Sequence, residues 1–394
     1  MLPAPRELAI GTTPAAYFGA GSIARLPELI AGAGGRSALI VTDAPLAATS
    51  VIGAVTDLLA AAGVPVTVFT GVHPNPTTAD LAAGAVAAAG LLDRAPVVVA
   101  VGGGSPIDAA KGIALAAVNP QRGRELGYRS DFAAKALPLL AVPTTAGTGA
   151  ETNAFGVVTD EQEHRKFYVG HASTMPAAAI LDPELTTGLP RGATAATGMD
   201  ALTHALESYL SVRANPWSAG IALQVVRMVS EFLPRAVADG SDAEARGQML
   251  LAAHMAGVAM ATTGLGACHA IGHALGGRFD LPHGVALSLV LPQVLSFCRP
   301  VSTERLAELS FALGAGDTAA DADANASSAI SAIASLAENV GMTKTLGDFG
   351  VGTADFGLIA RDALDDEVLA NAPLQPTAAD ITQMLAVAVG ETVR

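Results

Sequence analysis

The feature that most constrains the fold is an alternation, through the first half of the chain, of short β-branched runs with longer Ala-rich stretches. The runs SALIVTD (37–43), VPVTVFT (64–70) and PVVVAVGGG (96–104) are separated by helical patterns, and further strands are predicted at LPLLAVP and AAAILD. Continuously apolar strands separated by helices are typical of a parallel sheet covered on both faces. The first half is therefore predicted to be a doubly wound α/β domain, which binds ligands at the carboxyl ends of its strands.

The second half has a different pattern, because the strand signal fades near TTGLPRGATAATG and successive amphipathic helices follow almost to the end. A length of 394 residues is more than one hydrophobic core usually serves, which favours two domains. We predict an α/β domain over residues 1–190 and an all-helical domain over residues 191–394. The Ala-, Asp- and Ser-rich segment from Gly316 is predicted to be a loop that runs into a surface helix.

Composition argues against several classes of partner. The net charge is −14 and the sequence has no cluster of Lys and Arg, on which binding to nucleic acid depends. The opening MLPAPRELAIGTTP lacks the features of a secretory signal, and apolar stretches are interrupted before the roughly 18–20 residues that a membrane span needs. Cys268 and Cys298 form no CxxC pattern and suit a reducing compartment. A cytoplasmic protein without nucleic-acid or membrane partners is expected.

The turn after the run at 96–104 carries a pattern suited to phosphate. In GGGSPIDAAK, three glycines precede Ser105, a good N-cap, Pro106, which suits the first helical position, and Asp108, which can complete a capping box. The N–H groups and the dipole of such a helix start form a natural pyrophosphate site. The alternative is a strand-to-helix turn that binds nothing.

Two more loops follow predicted strands. Asp43 ends the first run, where a carboxylate can accept hydrogen bonds from a ribose 2′-hydroxyl and would repel a 2′-phosphate, which favours NAD over NADP. The alternative is a turn-forming Asp. The loop PTTAGTGAE (143–151) offers Thr144, Thr145 and Thr148 beside flexible glycines; it could line an adenine or ribose pocket or be a simple turn.

Histidine placement is the sharper signal. Asp200 and His204 stand four residues apart on a predicted helix and share one face, and His269 and His273 repeat that spacing shortly before His283. Three of these histidines with Asp200 would complete a four-ligand site for Fe(II), Zn(II) or a similar ion. The alternative is a solvated polar helix face.

Together, GGGSPIDAAK, PTTAGTGAE, GMDALTHALE and HAIGHALGGRFDLPHG resemble, in order and spacing, the motifs of the iron-containing (group III) alcohol dehydrogenase family. The resemblance spans most of the chain, from FGAGS at Phe18 to NAPLQPTAADI, and the last two motifs together are highly specific. It implies an amino-terminal dinucleotide-binding α/β domain, a carboxyl-terminal all-helical domain that holds a metal, and NAD-dependent interconversion of a small alcohol and its aldehyde or ketone.

The resemblance also implies roles for single residues. His273 matches a family histidine that lies near the nicotinamide and substrate without being a ligand. The metal ligands would be Asp200, His204, His269 and His283. The cofactor-binding residues would be Asp43, Asn75, Gly103, Gly104, Ser105, Asp108, Thr144, Thr145, Thr148, Val157 and Lys166. The metal would be Fe²⁺, with Zn²⁺ as the alternative, and the assembly a homo-oligomer such as a dimer.

The chain departs from the family pattern in places. Ala274 stands where the family often has Pro, Ser288 where it often has Asn, and Leu374 follows Pro373 where Arg often follows Asn-Pro. The first two departures touch no expected ligand and bear on pocket shape and substrate identity, and no mechanism follows from the third.

The expected chemistry follows from charge. Three neutral imidazoles and one carboxylate around a divalent ion leave a net charge near +1 at an open position, which would acidify an alcohol and favour hydride transfer to nicotinamide. His273 would shuttle the released proton, because imidazoles titrate near neutral pH. The alternatives are a maleylacetate reductase-type oxidoreductase, a dehydroquinate-synthase-like NAD/metal lyase, and a cofactor-binding protein without turnover.

Overall fold

The computed structural model describes residues 11, 13–163 and 165–390. Residues 1–10, to which the prediction of no secretory signal mainly refers, lie outside this part. The described chain divides into two compact units, residues 13–188 and residues 189–390, with Gly11 belonging to the second. The predicted domain functions stay predictions at this point.

The first unit alternates strands and helices. Its strands are β1 (Ala15–Phe18), β2 (Ser37–Asp43), β3 (Val66–Val72), β4 (Pro96–Gly102), β5 (Leu139–Pro143), β6 (Phe155–Asp160), β7 (Arg165–Gly170) and β8 (Ala178–Leu181). Its helices are α1 (Leu26–Gly32), α2 (Ala44–Ala47), α3 (Ser50–Ala61), α4 (Thr78–Ala89) and α5 (Gly104–Ala116). The five strands predicted from the sequence are β2, β3, β4, β5 and β8; β2 has the predicted bounds, and those of the other four differ from the prediction by a few residues.

Six of these strands form one sheet in the order β1-β8-β5-β4-β2-β3, and every pairing in it is parallel. Alternate residues of each central strand enter two hydrophobic clusters. Ile40 and Val99 pack on the side of α1 and α3, whereas Leu39 and Val98 pack on the side of α4 and α5. Both faces are covered, so the predicted doubly wound fold is confirmed.

Two elements of the first unit were not predicted from the sequence. Strand β1 is short and mostly exposed at the sheet edge, so it lacks a buried apolar run. Strands β6 and β7 form an antiparallel pair in which Phe155 faces Gly170. The polar residues of both strands lie at the hairpin end, which leaves only short apolar runs in the sequence, and both strands pack against α5.

The second unit is helical. Its helices are α6 (Arg191–Leu210), α7 (Pro216–Ala238), α8 (Ala243–Thr263), α9 (Ala267–Phe279), α10 (His283–Ala312), α11 (Ala322–Asn339), α12 (Phe356–Leu364) and α13 (Ala378–Val389). No strand follows Leu181 in the described chain, which confirms the predicted all-helical second half. The loop and helix predicted from Gly316 correspond to α11, which begins after its N-cap Asp321.

Side chains start several of these helices as the sequence suggests. Asn215 caps α7 through a capping box, and Asp242 caps α8 by accepting from the amide of Ala245. Helix α6 carries a long buried face, which includes Asp200, His204 and Glu207. Charged and polar groups inside a helical core need partners, so this face is where chemistry is expected.

Helix α10 is long and apolar enough, by length and composition, to cross a membrane. Half of its most apolar window is buried within the protein, Pro292 and Pro300 interrupt it, and it begins at His283. A core helix passes the same test, and a half-buried helix that starts at a histidine fits that description.

Candidate functional site

A cluster of imidazoles surrounds one carboxylate oxygen in the helical unit. Asp200 and His204 lie one turn apart on α6, His269 is on α9, and His283 begins α10. The Nε2 atoms lie 3.4 Å (His204), 3.7 Å (His269) and 3.6 Å (His283) from Oδ1 of Asp200. The ligand atoms of Asp200, His269 and His283 are all within 4.8 Å of one another, and His204 is not part of that mutually close set.

These separations fit a metal ion. Four ligands at about 2.0–2.2 Å from a tetrahedral ion lie roughly 3.3–3.6 Å from one another. The three Nε2 atoms lie 3.4–3.7 Å from Oδ1 of Asp200, within or just beyond that spacing. Oδ1 of Asp200 and Nε2 of His269 are moreover buried without a hydrogen-bond partner. Buried polar atoms without partners are rare and call for an explanation. A divalent cation bound between these atoms would supply the missing interaction.

Charge in the cluster agrees with this arrangement. Burial alone would raise the pKa of Asp200, but the facing imidazoles of His204, His283 and His269 outweigh it and lower that pKa far below its ordinary value. Burial would lower the pKa of His269, but Glu207 and Asp200 raise it to about 9. In the metal-free protein the ring of His269 is therefore doubly protonated at neutral pH, and a metal ion would have to displace one of its two protons.

Glu207 contacts this cluster, and the sequence interpretation missed it. Its carboxylate accepts hydrogen bonds from Nδ1 of His269 at 2.6 Å, from the amide of Gly266 at 2.9 Å and from the amide of Cys268 at 2.7 Å. Burial would raise the pKa of Glu207, but His269 and these two amides hold it below its ordinary value. An ionised carboxylate only accepts, so Nδ1 of His269 is the protonated nitrogen that donates to it, and Nε2 is the nitrogen left for the cation.

A sequence signal for Glu207 existed. It stands seven residues after Asp200 and three after His204, on the same face of α6, in what reads as a polar stripe. The stripe is buried, because Glu207 is only 8% exposed.

His273 takes a different place in the cluster. It is one turn beyond His269 on α9, and its ring lies 5.9 Å from that of His269 and 5.5 Å from that of His283. Its Nδ1 donates to Oδ2 of Asp366 at 2.6 Å, which leaves Nε2 unprotonated in the neutral ring. Burial would raise the pKa of Asp366, but His273 lowers it. The prediction from sequence missed Asp366, which lies 93 residues from His273.

A second group of predicted residues lies at one edge of the parallel sheet. Asp43 ends β2, Asn75 follows β3, Gly103 follows β4 and Thr144 follows β5. Strand β3 lies on one side of β2, whereas β4, β5 and β8 follow on the other side, so the strand order reverses between β2 and β4. Ligands of doubly wound sheets bind at such a switch point.

The glycine turn differs from its prediction. Helix α5 begins at Gly104 with Gly103 as N-cap, and no side chain caps it, so Ser105 is inside the first turn and Pro106 is not the first helical residue. Asp108 does not complete a capping box, because its Oδ2 accepts from the amide of Val157 at 3.0 Å. The first N–H groups of α5 are therefore not taken by a side chain, which suits an anionic ligand.

The threonine loop packs onto this turn. A Cβ atom added to Gly103 would lie 3.1 Å from Thr145 Cγ2, and one added to Gly104 would lie 2.8 Å from Thr148 Cγ2. The amide of Thr144 donates to the carbonyl of Gly102 at 2.9 Å. A side chain at Gly104 would displace Thr148, and one at Gly103 would crowd Thr145, so glycine allows the loop to approach the backbone closely.

Two more predicted residues meet across a long stretch of sequence. Nζ of Lys166, on β7, donates to Oδ1 of Asn75 at 2.9 Å, and Asn75 adopts a left-handed φ of 54°. Asp43, at the same sheet edge, accepts from the amide of Leu46 at 2.7 Å and is the N-cap of α2. Its turn-forming role and a ribose-binding role are compatible, since a carboxylate has several acceptor positions.

Comparison with known proteins gives one consistent result. Residues 13–183 match the sequence model of the family described as iron-containing alcohol dehydrogenase, and residues 194–389 match the carboxyl-terminal model of the same family. The NAD-dependent methanol dehydrogenase of Bacillus methanolicus is 36% identical over 94% of this chain and 97% of its own length. The 1,3-propanediol dehydrogenase of Klebsiella pneumoniae is 37% identical over 89% of this chain and 90% of its own length. The solved structure of a 1,3-propanediol oxidoreductase superposes with a TM-score of 0.93 at 35% identity, covering 97% of this chain and all of that one.

Proposed function

The chain belongs to the iron-containing alcohol dehydrogenase family, and on that premise we propose that it transfers hydride between NAD(H) and a small alcohol or aldehyde at a divalent metal. The family predicted from the sequence is confirmed. The relatives with long matches are dehydrogenases of alcohols, methanol and 1,3-propanediol, and this supports the alcohol dehydrogenase function over the maleylacetate reductase, lyase and non-catalytic alternatives.

The observation that carries this proposal is the convergence of three imidazoles on the orphaned Oδ1 of Asp200. The residues that would hold the metal are Asp200, His204, His269 and His283. When bound, a divalent ion supplies Lewis acidity, which makes an alcohol hydroxyl more acidic and polarises a carbonyl. Fe²⁺ fits the family, and Zn²⁺ fits the same nitrogen and oxygen donors.

Two carboxylates of the chain would orient the imidazoles that bind the metal and move the proton. Glu207 holds His269 with Nε2 directed at Asp200, and Asp366 holds His273 with its own Nε2 free to receive the proton released by the alcohol. A positioned acid–base group of this kind contributes typically about 10²–10⁴-fold to a rate.

For the dinucleotide, the uncapped start of α5 would bind the pyrophosphate and Asp43 the ribose hydroxyls. The full set of residues proposed for NAD is Asp43, Asn75, Gly103, Gly104, Ser105, Asp108, Thr144, Thr145, Thr148, Val157 and Lys166. The first domain, residues 1–190, is accordingly proposed as the NAD-binding domain and residues 191–394 as the metal-binding and catalytic domain.

Composition and family membership also support a cellular setting and an assembly. The net charge of −14 and the two buried free cysteines support a cytoplasmic protein without nucleic-acid partners. Family resemblance alone supports a homo-oligomer such as a dimer. Neither a membrane partner nor a particular alcohol is needed to explain the site.

The test is elemental analysis of protein purified without oxygen, together with a screen of short alcohols and aldehydes for NADH formation and consumption. We expect about one Fe²⁺ or Zn²⁺ per chain, and activity that is lost on chelation and restored by the metal. Asp200→Asn should lose metal and turnover, whereas Glu231→Gln, an exposed acid on α7, should lose neither. Metal-free protein with full activity, or metal-loaded protein that never changes the NADH concentration, would refute the proposal.

A further inference from the structure

A buried ammonium lies directly beneath the nucleotide-binding residues and has no place in the mechanism above. Lys111, on α5, is completely buried. Its Nζ donates to the carbonyl of Ala150 at 2.7 Å, to Oδ1 of Asn153 at 2.9 Å and to the carbonyl of Phe155 at 2.5 Å. An ammonium has three N–H groups, so all of them are satisfied.

Burial of an ammonium costs free energy, because the charge loses its contact with water, and it makes the charged form less favourable. Burial lowers the pKa of Lys111, although the carboxylates of Asp108 and Glu151 oppose the shift. Asp108 Oδ1 lies 3.7 Å from Nζ, and none of the three acceptors that Nζ contacts most closely is charged. An apolar side chain would fill the same space without the free-energy cost of removing a cation from water, which destabilises the fold. Its three hydrogen bonds therefore point to a role in holding the segment they contact.

That segment, residues 150–155, joins two sets of proposed cofactor-binding residues. It follows Thr148, whose side chain packs on Gly104, and it precedes Val157, whose amide donates to Asp108. Both contacts are made to the first two turns of α5, the helix that carries Lys111. The lysine thus ties the threonine loop and strand β6 to the helix whose start would bind pyrophosphate.

Strand β6 packs closely against helix α5. A Cβ atom on Gly156 would lie 2.7 Å from the carbonyl oxygen of Asp108, so β6 runs against the backbone of α5. Asn153 Oδ1 also accepts from the amide of Phe155 at 3.1 Å, which fixes the turn into β6. Without the ammonium, the carbonyl of Ala150 would lose its Lys111 hydrogen bond in a buried position.

We propose that Lys111 is a positioning residue for the dinucleotide: by binding three oxygens of residues 150–155 it holds Thr148 and Val157 in place around the start of α5. This inference rests on the proposed function, since it assumes that NAD binds at this edge of the sheet. Lys111 itself contacts neither the metal cluster nor, on this assignment, the reacting atoms. Its loss should therefore affect nucleotide binding and leave metal binding alone.

The test compares Lys111→Met, which keeps the length of the side chain without its charge, with Ile113→Ala, a buried substitution on the same helix among sheet-facing residues. For Lys111→Met we expect the Kd for NADH to rise about tenfold or more, with metal content unchanged and with faster amide exchange confined to residues 144–157. KM for NAD⁺ should rise while kcat at saturating NAD⁺ changes far less. Ile113→Ala should lower the melting temperature without this local effect.

If Lys111→Met does not fold, Asn153→Ala provides the test, because it removes one of the three oxygens that accept from Lys111. This variant should also raise the Kd for NADH. Equal NADH affinity in the wild type and in both of these variants would overturn the inference. Unchanged exchange over residues 144–157 in a folded Lys111→Met variant would overturn it as well. Failure of the wild-type protein to bind NADH at all would instead refute the proposed function.

Discussion

Oε2 of Glu207 lies 2.6 Å from Nδ1 of His269, inside the helical unit and 62 residues away in sequence. The same carboxylate accepts hydrogen bonds from two backbone amides at the start of α9, so it holds both the first turn of α9 and the imidazole ring of His269 in place. A carboxylate that orients a ligating imidazole also increases the basicity of the other ring nitrogen. Glu207 is therefore expected to set metal affinity without touching the metal.

Glu207→Gln should lower metal affinity by about 10–100-fold, the usual contribution of such a partner. The amide side chain lacks the negative charge that favours a donating Nδ1 on His269. Competition with a chromophoric chelator measures the affinity, and Glu231→Gln on the exposed face of α7 is the matched control. An affinity equal to that of the control would remove this role from Glu207.

Asp366 should support His273 in proton transfer. Asp366→Ala removes the acceptor for Nδ1 and is expected to lower kcat by a substantial part of the roughly 10²-fold or greater loss expected for His273→Ala. Asp366→Asn keeps one acceptor oxygen, which can serve Nδ1 of His273 only if the amide of Val368 loses its acceptor, so its activity should fall between those of Asp366→Ala and the wild type. The measurement is kcat as a function of pH at full metal occupancy. A His273→Ala variant with an unchanged pH–rate profile would show that this ring moves no proton.

Metal affinity should depend on pH through His269. Its pKa in the metal-free protein is about 9, above the 6.5 of an ordinary histidine, so the proton is present at neutral pH and leaves as the pH rises through about 9. A metal ion competes with that proton, so affinity should rise by roughly tenfold per unit from about pH 7 to 9. Proton release on metal binding in weak buffer, measured with an indicator dye, provides the check. The absence of any released proton at neutral pH would contradict the raised pKa.

Asp43 should decide between the two nicotinamide dinucleotides. Asp43→Ser keeps an N-cap oxygen for the amide of Leu46 and removes the charge that would repel a 2′-phosphate. The ratio of kcat/KM for NADP⁺ to that for NAD⁺ is expected to rise by about tenfold or more. Asp57→Ser, at an exposed position of α3, gives the same change in net charge and should leave the ratio alone. A similar shift in both variants would point to a general electrostatic effect.

Two glycines should respond in opposite directions to alanine. Gly156→Ala places a Cβ 2.7 Å from the carbonyl oxygen of Asp108 and should destabilise the fold by about 1–3 kcal/mol. Gly53 is the fourth residue of α3 and has open space around it, so Gly53→Ala should stabilise by about 0.5–1 kcal/mol. Thermal and denaturant unfolding measure both. Stabilisation by Gly156→Ala would mean that β6 does not run against α5.

Local sequence pattern was sufficient for the main elements and for much of the site. The buried strands β2, β4 and β5 are short, mostly apolar runs. In a chain that alternates such runs with helices, they predict a parallel sheet covered on both faces. Asp200 and His204 share a helix face because they are four residues apart. The edge strand β1 could not be read in this way, because its strand partner, β8, is distant in sequence. The hairpin β6–β7 could not be read either, because the helix on which it packs, α5, precedes it by about 40 residues.

The amino-acid sequence by itself determined which residue types lie at the carboxyl ends of the strands and which imidazoles are available on α6 and α9. Only the tertiary structure decided the hydrogen-bond partners of the polar groups. Asp108 accepts from the amide of Val157, 49 residues away, instead of capping its own helix. Lys166 donates to Asn75, 91 residues away, and Asp366 accepts from His273, 93 residues away. The physical reason is that periodicity reports the face of an element on which a side chain lies. The partner of a buried polar group is chosen by whatever acceptor or donor packing brings within about 3 Å of it.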